Sequence, residues 1–194
     1  MKHTLPAVSA AARTLIDVYR LDIELDATRF VIEPALAMQI LLAGAEAGDA
    51  AEAPRSGVLV VDSEEGAQVG LYLHPEDALN PGAVVEETSH LLYLAWHSVR
   101  DLPVSRLLME VQGEVDRYVV ARLSGRDALE HFQTFEWAHW MGDETRSIYA
   151  MAHRVAHRYC RHLGSRFPAE SDTPELLREL RRYYRATPDN KLHP

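Results

Sequence analysis

The chain has 194 residues, of which 47% are hydrophobic and 25% charged, and its formal net charge is −9. This composition is ordinary for a globular protein of one domain, and no apolar run approaches the roughly 20 residues that cross a bilayer. The arginines of residues 178–185 alternate with apolar positions at helical spacing, as on a solvated helix face. Because a nucleic-acid binder needs a concentrated basic face, we expect neither a nucleic-acid nor a membrane partner.

Cysteine content and the N-terminal sequence indicate the compartment. Cys160 is the sole cysteine, which excludes an internal disulfide and a zinc site made of thiolates alone. Polar residues interrupt the N-terminal segment too early for a secretory signal. We therefore expect a cytoplasmic protein.

The first part of the chain predicts helices and a hairpin. Residues 5–20 have an amphipathic helical pattern, residues 21–26 alternate apolar and polar as a strand does, and a second helix begins at Pro34. Small residues, proline and glycine then indicate a loop over 48–57. Two β-rich runs with an acidic turn between them predict a hairpin over about residues 58–74.

The rest of the chain is predicted to be helical. The predicted segments begin at Asn80-Pro81 and then cover residues 101–125, 127–140, 143–164 and a helix from Thr173. Gly164 is a candidate terminal glycine, and the tail after Thr187 is expected to fray. The predicted fold class is therefore α+β: a mostly helical single domain over 1–187, with a small antiparallel sheet packed beside a helical layer.

The helix of residues 81–98 combines an apolar sequence with acids and histidines. On a helical wheel Glu86, Glu87, His90 and His97 gather on one side, but Leu94 interrupts that side. A helix that is apolar nearly all round is usually buried. Buried carboxylates need partners, and a metal ion is one candidate.

Two other helices carry residues of the same chemistry. Glu110 and Glu114 lie on the next helix, and Glu114 points more nearly inward on the wheel. His153 and His157 lie one turn apart on the helix of residues 143–164, His153 at the edge of the apolar stripe and His157 facing away. Imidazole and carboxylate together suit zinc, iron or manganese.

The order of hairpin, "EETSH" helix and following glutamates resembles that of gluzincin-type metallopeptidases, over about residues 56–118. The resemblance places Glu86 at the first histidine ligand, Glu87 at the general base and His90 at the second ligand. Glu110 or Glu114 would be the third ligand. It implies a zinc ion that acidifies a water molecule, with a carboxylate taking the proton. The chain departs from the family because a glutamate stands where the family has a histidine, although glutamate can bind zinc.

A second resemblance concerns the pair Glu87 and His90, whose Glu-x-x-His spacing is similar to that of ferritin-like di-iron proteins. Such bundles use this element twice, with a glutamate from each of two further helices. Neither His131 nor His153 has a glutamate three residues before it, so neither of these two histidines supplies the second copy. A di-iron site would also require His153 to point inward.

Simpler explanations exist for each group. Glu86 and Glu87 suit the first turn of any helix because of the helix dipole, and the acids could pair with Arg106 or Arg117. Glu110 and Glu114 could be surface charges, and nothing in the sequence places a partner beside His131.

The leading prediction is a metal-dependent hydrolase with one carboxylate/histidine site. Its catalytic residue would be Glu87, and the candidate ligands are Glu86, Glu87, His90, Glu110, Glu114 and His153. The expected cofactor is a divalent metal, zinc first and iron as the alternative. The other hypotheses are a di-iron oxidase or oxygenase, and a non-catalytic protein that forms a homo-oligomer or docks on a protein partner.

Overall fold

The computed structural model describes residues 4–44, 56–64, 66–134 and 142–194. Within these ranges the chain forms helices and one two-stranded antiparallel sheet, so the predicted α+β class is confirmed. The helices are α1 (Thr4–Tyr19), α2 (Pro34–Gly44), α3 (Pro81–Ser98), α4 (Arg106–Leu123), α5 (Glu130–Gln133), α6 (Asp143–Arg166), α7 (Thr173–Tyr184) and α8 (Pro188–Leu192), and the strands are β1 (Ser56–Ser63) and β2 (Gly66–Leu73).

The hairpin lies beside the helices, as expected. β1 and β2 pair in register from Ser56 opposite Leu73 to Ser63 opposite Gly66. Leu71 and Leu73 of β2 are buried in the core, whereas Val60 of β1 is exposed. The residue between Glu64 and Gly66 lies outside the described ranges, as do residues 45–55 of the predicted loop and 135–141 of the predicted helical segment.

The strand expected at residues 21–26 does not form. Residues 21–26 have no regular structure, and Ala27–Phe30 form a 3₁₀ turn whose cap is Asp26, which accepts a hydrogen bond from the Thr28 amide. The chain that follows this turn makes one parallel bridge, between Val31 and Leu71 of β2. The alternating pattern wrongly predicted a strand, because no described strand runs beside residues 21–26. A strand without a neighbour cannot form the hydrogen bonds of a sheet.

Helix α3 is the centre of the molecule. Asn80 caps it by accepting hydrogen bonds from the amides of Gly82 and Ala83, and Pro81 occupies its first turn, as predicted. The helix contacts α1, α4 and both strands. Apolar and polar residues alike are buried along it, including Leu91, Tyr93 and His90, which confirms that a helix apolar nearly all round is covered on all sides.

Helix α4 packs between α3 and α6. The side chain of Ser105 caps it by accepting a hydrogen bond from the Leu108 amide. Val111, Val115 and Val119 lie in the core. Because α4 touches helices on two sides, polar residues on more than one of its faces are buried.

The C-terminal part differs from the prediction in two respects. Helix α6 continues past Gly164 to Arg166, so this glycine does not end the helix. The segment expected to fray after Thr187 contains the helix α8, and its Lys191 is 1% exposed. Long-range contacts, which a local sequence pattern does not encode, hold this segment in place.

Helix α2 is poorly covered. Leu36, Met38 and Leu42 on it are exposed, and Ala37 is its buried apolar residue. Among the described residues, no helix has both the length and the apolar character that crossing a bilayer requires.

Candidate metal centre

Helix α3 presents Glu86 and His90 on one face, because residues four apart lie one turn above each other. His90 is 4% exposed, and the side chain of Glu86 is 18% exposed. This face is turned toward α4, where Gly113 lies directly opposite. The two side chains therefore project into the contact between the helices.

Gly113 makes the close approach possible. A Cβ atom at this position would lie 2.7 Å from His90 Nε2 and 3.2 Å from Glu86 Cγ. The first distance is shorter than any ordinary contact between these atoms, so an alanine would force the imidazole to move. The glycine thus creates the space in which the two side chains meet α4.

Helix α4 adds the two predicted glutamates. Glu110 is 4% exposed and Glu114 is 5% exposed. The wheel placed Glu114 further inward than Glu110, and this ranking is wrong because both are equally buried. A wheel shows a residue's position relative to its own helix, whereas Glu110 is covered by α3 through His90.

Glu86, His90 and Glu110 form one group. One ligand atom from each lies within 4.8 Å of the other two, and His90 Nε2 is 3.5 Å from Glu110 Oε2. These two atoms are buried and have no hydrogen-bond partner among the described residues. Ligands about 2.0–2.2 Å from a tetrahedral zinc ion lie about 3.3–3.6 Å from each other. The pair of His90 Nε2 and Glu110 Oε2 already has this spacing, and a pair near the 4.8 Å limit would have to close by about 1 Å.

Glu87 has a different position from the other acids of the motif. Its Oε2 lies 3.3 Å from His90 Nδ1, and it is not a member of the three-residue group. A carboxylate at Nδ1 fixes the imidazole so that Nε2 is directed toward a metal. Glu87 therefore orients His90, and its side chain, which is 13% exposed, borders a pocket.

Arginines also contact the acids of this group. Arg117 Nη1 donates a hydrogen bond of 3.0 Å to Glu86 Oε2, and Arg106 Nε lies 3.7 Å from Glu110 Oε1. The ion pairs considered from the sequence as the simpler explanation are thus present. Each arginine engages one carboxylate oxygen, and the contact between His90 Nε2 and Glu110 Oε2 is separate from both.

A second group surrounds Glu114. Its Oε2 lies 3.0 Å from His131 Nε2 on α5, and its Oε1 lies 3.4 Å from His153 Nδ1 on α6. The ligand His153 was predicted from the sequence and does point toward Glu114. His131 was missed, because the four-residue helix α5 is too short to show a periodic pattern.

Two further histidines considered from the sequence, His97 and His157, have other neighbours. His97 donates a hydrogen bond of 2.8 Å from Nδ1 to the Tyr93 carbonyl and packs against Trp96. His157 stacks on Phe132 with ring centroids 4.9 Å apart. Burial lowers the pKa of both histidines, which favours neutral imidazoles.

The protonation of the three-residue group follows from its burial. Burial raises the pKa of Glu86 to about 8, although Arg117 opposes the shift. Burial disfavours the charged form of His90, but Glu110, Glu87 and Glu86 outweigh it and raise its pKa to about 10. Burial also raises the pKa of Glu110. Glu86 and His90 thus hold protons near neutral pH, and an ion that bound there would displace them.

The pKa of Glu114 is shifted in the opposite direction from the pKa values of Glu86 and Glu110. Burial would raise the pKa of Glu114, but its contacts with His131 and His153 and the charge of Arg117 lower it to about 2. Glu114 is therefore a carboxylate at neutral pH. Each of its oxygens lies within 3.4 Å of an imidazole nitrogen, although Glu114 Oε2 and His131 Nε2 make no hydrogen bond to a described residue.

A pocket of about 470 Å³ reaches the three-residue group. One wall is β1 from Ser56 to Val60, and Tyr149 of α6 lies on another side. Glu87, His90 and Glu110 border the pocket. In the described part of the chain β1 pairs with β2 alone, so its other edge has no strand partner there.

No known protein family, curated protein or solved structure matches the chain. The chemistry of the site must therefore be argued from its own geometry.

Proposed function

We propose that the chain binds one divalent metal ion through Glu86, His90 and Glu110 and uses it to hydrolyse a substrate held in the adjoining pocket. One observation carries the proposal. His90 Nε2 and Glu110 Oε2 are buried in an ion-pair contact of 3.5 Å, and neither atom makes a hydrogen bond to a described residue. A buried polar atom without its hydrogen bond is costly. A mixed carboxylate and imidazole set suits zinc, with manganese and iron as the alternatives.

The chain's own residues fit a hydrolytic role. A bound divalent ion supplies Lewis acidity and an acidified water. Glu87 holds His90 in place through Nδ1 and borders the pocket, where a carboxylate can take a proton from water. Arg106 borders the same pocket and can pair with an anionic group of the substrate.

An extended peptide is the substrate class that we propose. The free edge of β1 offers main-chain amides and carbonyls to a strand laid beside it, which is a common mode of peptide recognition. Such a peptide would pass Glu87 and His90, because both border the pocket of which β1 forms the wall. The cytoplasm is the location we propose, since the lone Cys160 is unpaired.

The test is hydrolysis of unstructured peptides by the metal-depleted protein after zinc, manganese or iron is restored. We expect activity to return with one of these ions. Glu87→Gln should lower kcat by about a hundredfold or more, whereas Glu24→Gln, which changes an exposed acid, should leave it unchanged. Peptide hydrolysis equal in Glu87→Gln and the unchanged chain would contradict the role of Glu87.

A di-iron oxidase is the second candidate, and one observation favours it. His153 points toward Glu114, as that hypothesis requires, so carboxylate and imidazole groups converge from α3, α4, α5 and α6. A second Glu-x-x-His element, Glu136 and His139, occurs in the sequence but lies outside the described residues. This candidate predicts about two irons per chain and visible absorbance after oxidation.

A further inference from the structure

Lys191 is buried although it lies close to the C-terminus. It is 1% exposed and belongs to the five-residue helix α8. Lysine is almost never fully buried unless its charge is paired. The surroundings of its ammonium group therefore need an explanation, and they are unrelated to the proposed hydrolysis.

Aromatic rings surround the ammonium. Nζ lies 4.9 Å from the ring centroid of Tyr93, 4.9 Å from that of Tyr183 and 5.3 Å from that of Tyr184. Rings within about 6 Å attract a lysine ammonium or a ligand cation through their negative faces, and aromatic cages recognise quaternary ammonium ligands in this way. Nζ also donates a hydrogen bond of 2.6 Å to Gln112 Oε1.

A buried carboxylate, Asp116, is connected to the ammonium through Gln112. Asp116 is 1% exposed. It accepts hydrogen bonds from Ser89 Oγ at 2.5 Å, from Gln112 Nε2 at 2.9 Å and from the hydroxyl of Tyr19. Gln112 thus connects the two charges, with its oxygen at Lys191 and its nitrogen at Asp116. We call Tyr93, Gln112, Asp116, Tyr183 and Tyr184 the ammonium cage.

The cage and its occupant come from different parts of the chain. The cage is built by α3, α4 and α7, whereas the occupant comes from α8. Pro188, Asp189 and Asn190 are exposed, and α8 is further attached by hydrogen bonds from Tyr183 to the Lys191 carbonyl at 3.0 Å and from Arg158 to the Leu192 carbonyl at 2.7 Å. The side chains of Lys191 and Leu192 attach α8 to the body of the protein, Lys191 through Gln112 and Leu192 through the apolar core.

We propose that the ammonium cage is a binding site for a primary alkylammonium group, that Lys191 is its resident ligand, and that an external alkylammonium takes its place when residues 188–194 move away. The external group is a small amine or a lysine side chain of another molecule. Either would repeat the three ring contacts and the hydrogen bond to Gln112, because both carry the same chemical group.

The first test empties the cage in the full-length chain. Lys191→Ala removes three methylenes and the ammonium, which together correspond to n-propylammonium. At about pH 6.5 we expect a lowered Tm that n-propylammonium raises saturably by roughly 2–5 °C. The matched control is Lys2→Ala, which changes the chain's other lysine and should show no such rescue.

Neutral n-propanol distinguishes a cation site from an apolar hole. It should rescue Lys191→Ala much less than n-propylammonium does, and equal rescue by both would overturn the proposal. If Lys191→Ala does not fold by itself, the yield of refolding with n-propylammonium replaces Tm as the readout. Lys191→Met, which fills the cage with an apolar chain, should fold and should not respond to the amine.

The second test uses the unchanged protein. At about pH 6.5, amide hydrogen exchange in residues 189–192 should accelerate when n-butylammonium chloride is added, and sodium chloride or n-butanol at the same concentration should have little effect. A lysine-containing peptide in a parallel sample distinguishes a protein ligand from a small amine. Exchange in α8 that is unaffected by both ligands would overturn the proposed displacement.

Discussion

At the scale of single residues, Gly113 is the position on which the proposed metal group depends. Glycine inside a helix ordinarily costs about 1 kcal/mol relative to alanine. Here the missing side chain leaves the space that His90 Nε2 and Glu86 Cγ occupy. The sequence alone shows a glycine in a helical pattern, and it does not show which partner helix uses the space.

We predict that Gly113→Ala weakens metal binding about tenfold or more, because the new Cβ would displace the imidazole from its position. The free energy of unfolding should fall by about 1–3 kcal/mol. Metal titration and chemical denaturation measure the two effects. Gly164→Ala on α6 is the matched control, since its Cβ would lie 3.5 Å from the Tyr118 hydroxyl, an ordinary contact. Equal metal affinity in Gly113→Ala and the unchanged chain would show that the group does not bind the ion.

At the scale of elements, α4 carries two polar sets in different surroundings. Glu110 and Glu114 meet the histidines of the candidate centre, whereas Gln112 and Asp116 meet Lys191 and Tyr19. Residues two apart do not share a helix face, which explains how one helix serves both.

The Asn80-Pro81 cap predicted the start of α3, because a cap depends on local sequence. Periodicity predicted α4 and α6 with bounds a few residues off, and Asp143, expected to cap α6, is its first helical residue after the N-cap Gly142.

Other features depended on contacts that local patterns do not encode. His131 and Lys191 are distant in sequence from Glu114 and Gln112, with which they make contact. Helical spacing predicted that Glu86, Glu87 and His90 lie together on α3. It does not encode that Glu87 contacts His90 Nδ1 whereas Glu110 of the next helix contacts Nε2.

Lys191 gives the protein a specific pH dependence. Burial lowers the pKa of Lys191 to about 7, and the charge of Asp116 opposes the shift. Between about pH 7 and 10.4 the lysine of the unfolded chain holds a proton that the lysine of the folded chain does not. The free energy of unfolding therefore rises with pH across this range. The stability that this group contributes is present above about pH 10.4 and is lost as the pH falls through about 7.

We therefore predict that the unfolding free energy of the unchanged chain, relative to that of Lys191→Met, decreases as the pH is lowered from about 10 to 7. The slope should approach about 1.4 kcal/mol per pH unit. Urea denaturation at a series of pH values measures it, with Lys2→Met as the control. A difference between the unchanged chain and Lys191→Met that is independent of pH would contradict the shifted pKa.

At the scale of the whole molecule, the fold brings several acids into a small volume between α3, α4 and α6. The small hairpin closes one side of this volume and does not stand alone as a sheet. In the absence of an ion, protons on Glu86 and His90 and the charges of Arg106 and Arg117 compensate the acids. An ion that replaces those protons would bind the folded chain and not the unfolded one.

We predict that zinc or another matching ion raises Tm by several degrees at concentrations well above its Kd. The rise should be larger at pH 8 than at pH 6, since binding displaces protons. Thermal unfolding with the ion and then with a chelator measures this effect. A Tm that the tested ions leave unchanged at either pH would argue against a metal-stabilised fold.

The most direct measurement is the metal content, by mass spectrometry, of untagged protein produced with supplemented zinc and iron. We predict about one ion per chain in the unchanged protein and in the surface control Glu24→Gln/His162→Ala, and none in Glu86→Gln/His90→Ala. About two irons per chain would support the di-iron candidate instead. The absence of metal from the unchanged protein, or equal metal in the Glu86→Gln/His90→Ala variant, would contradict the proposed centre.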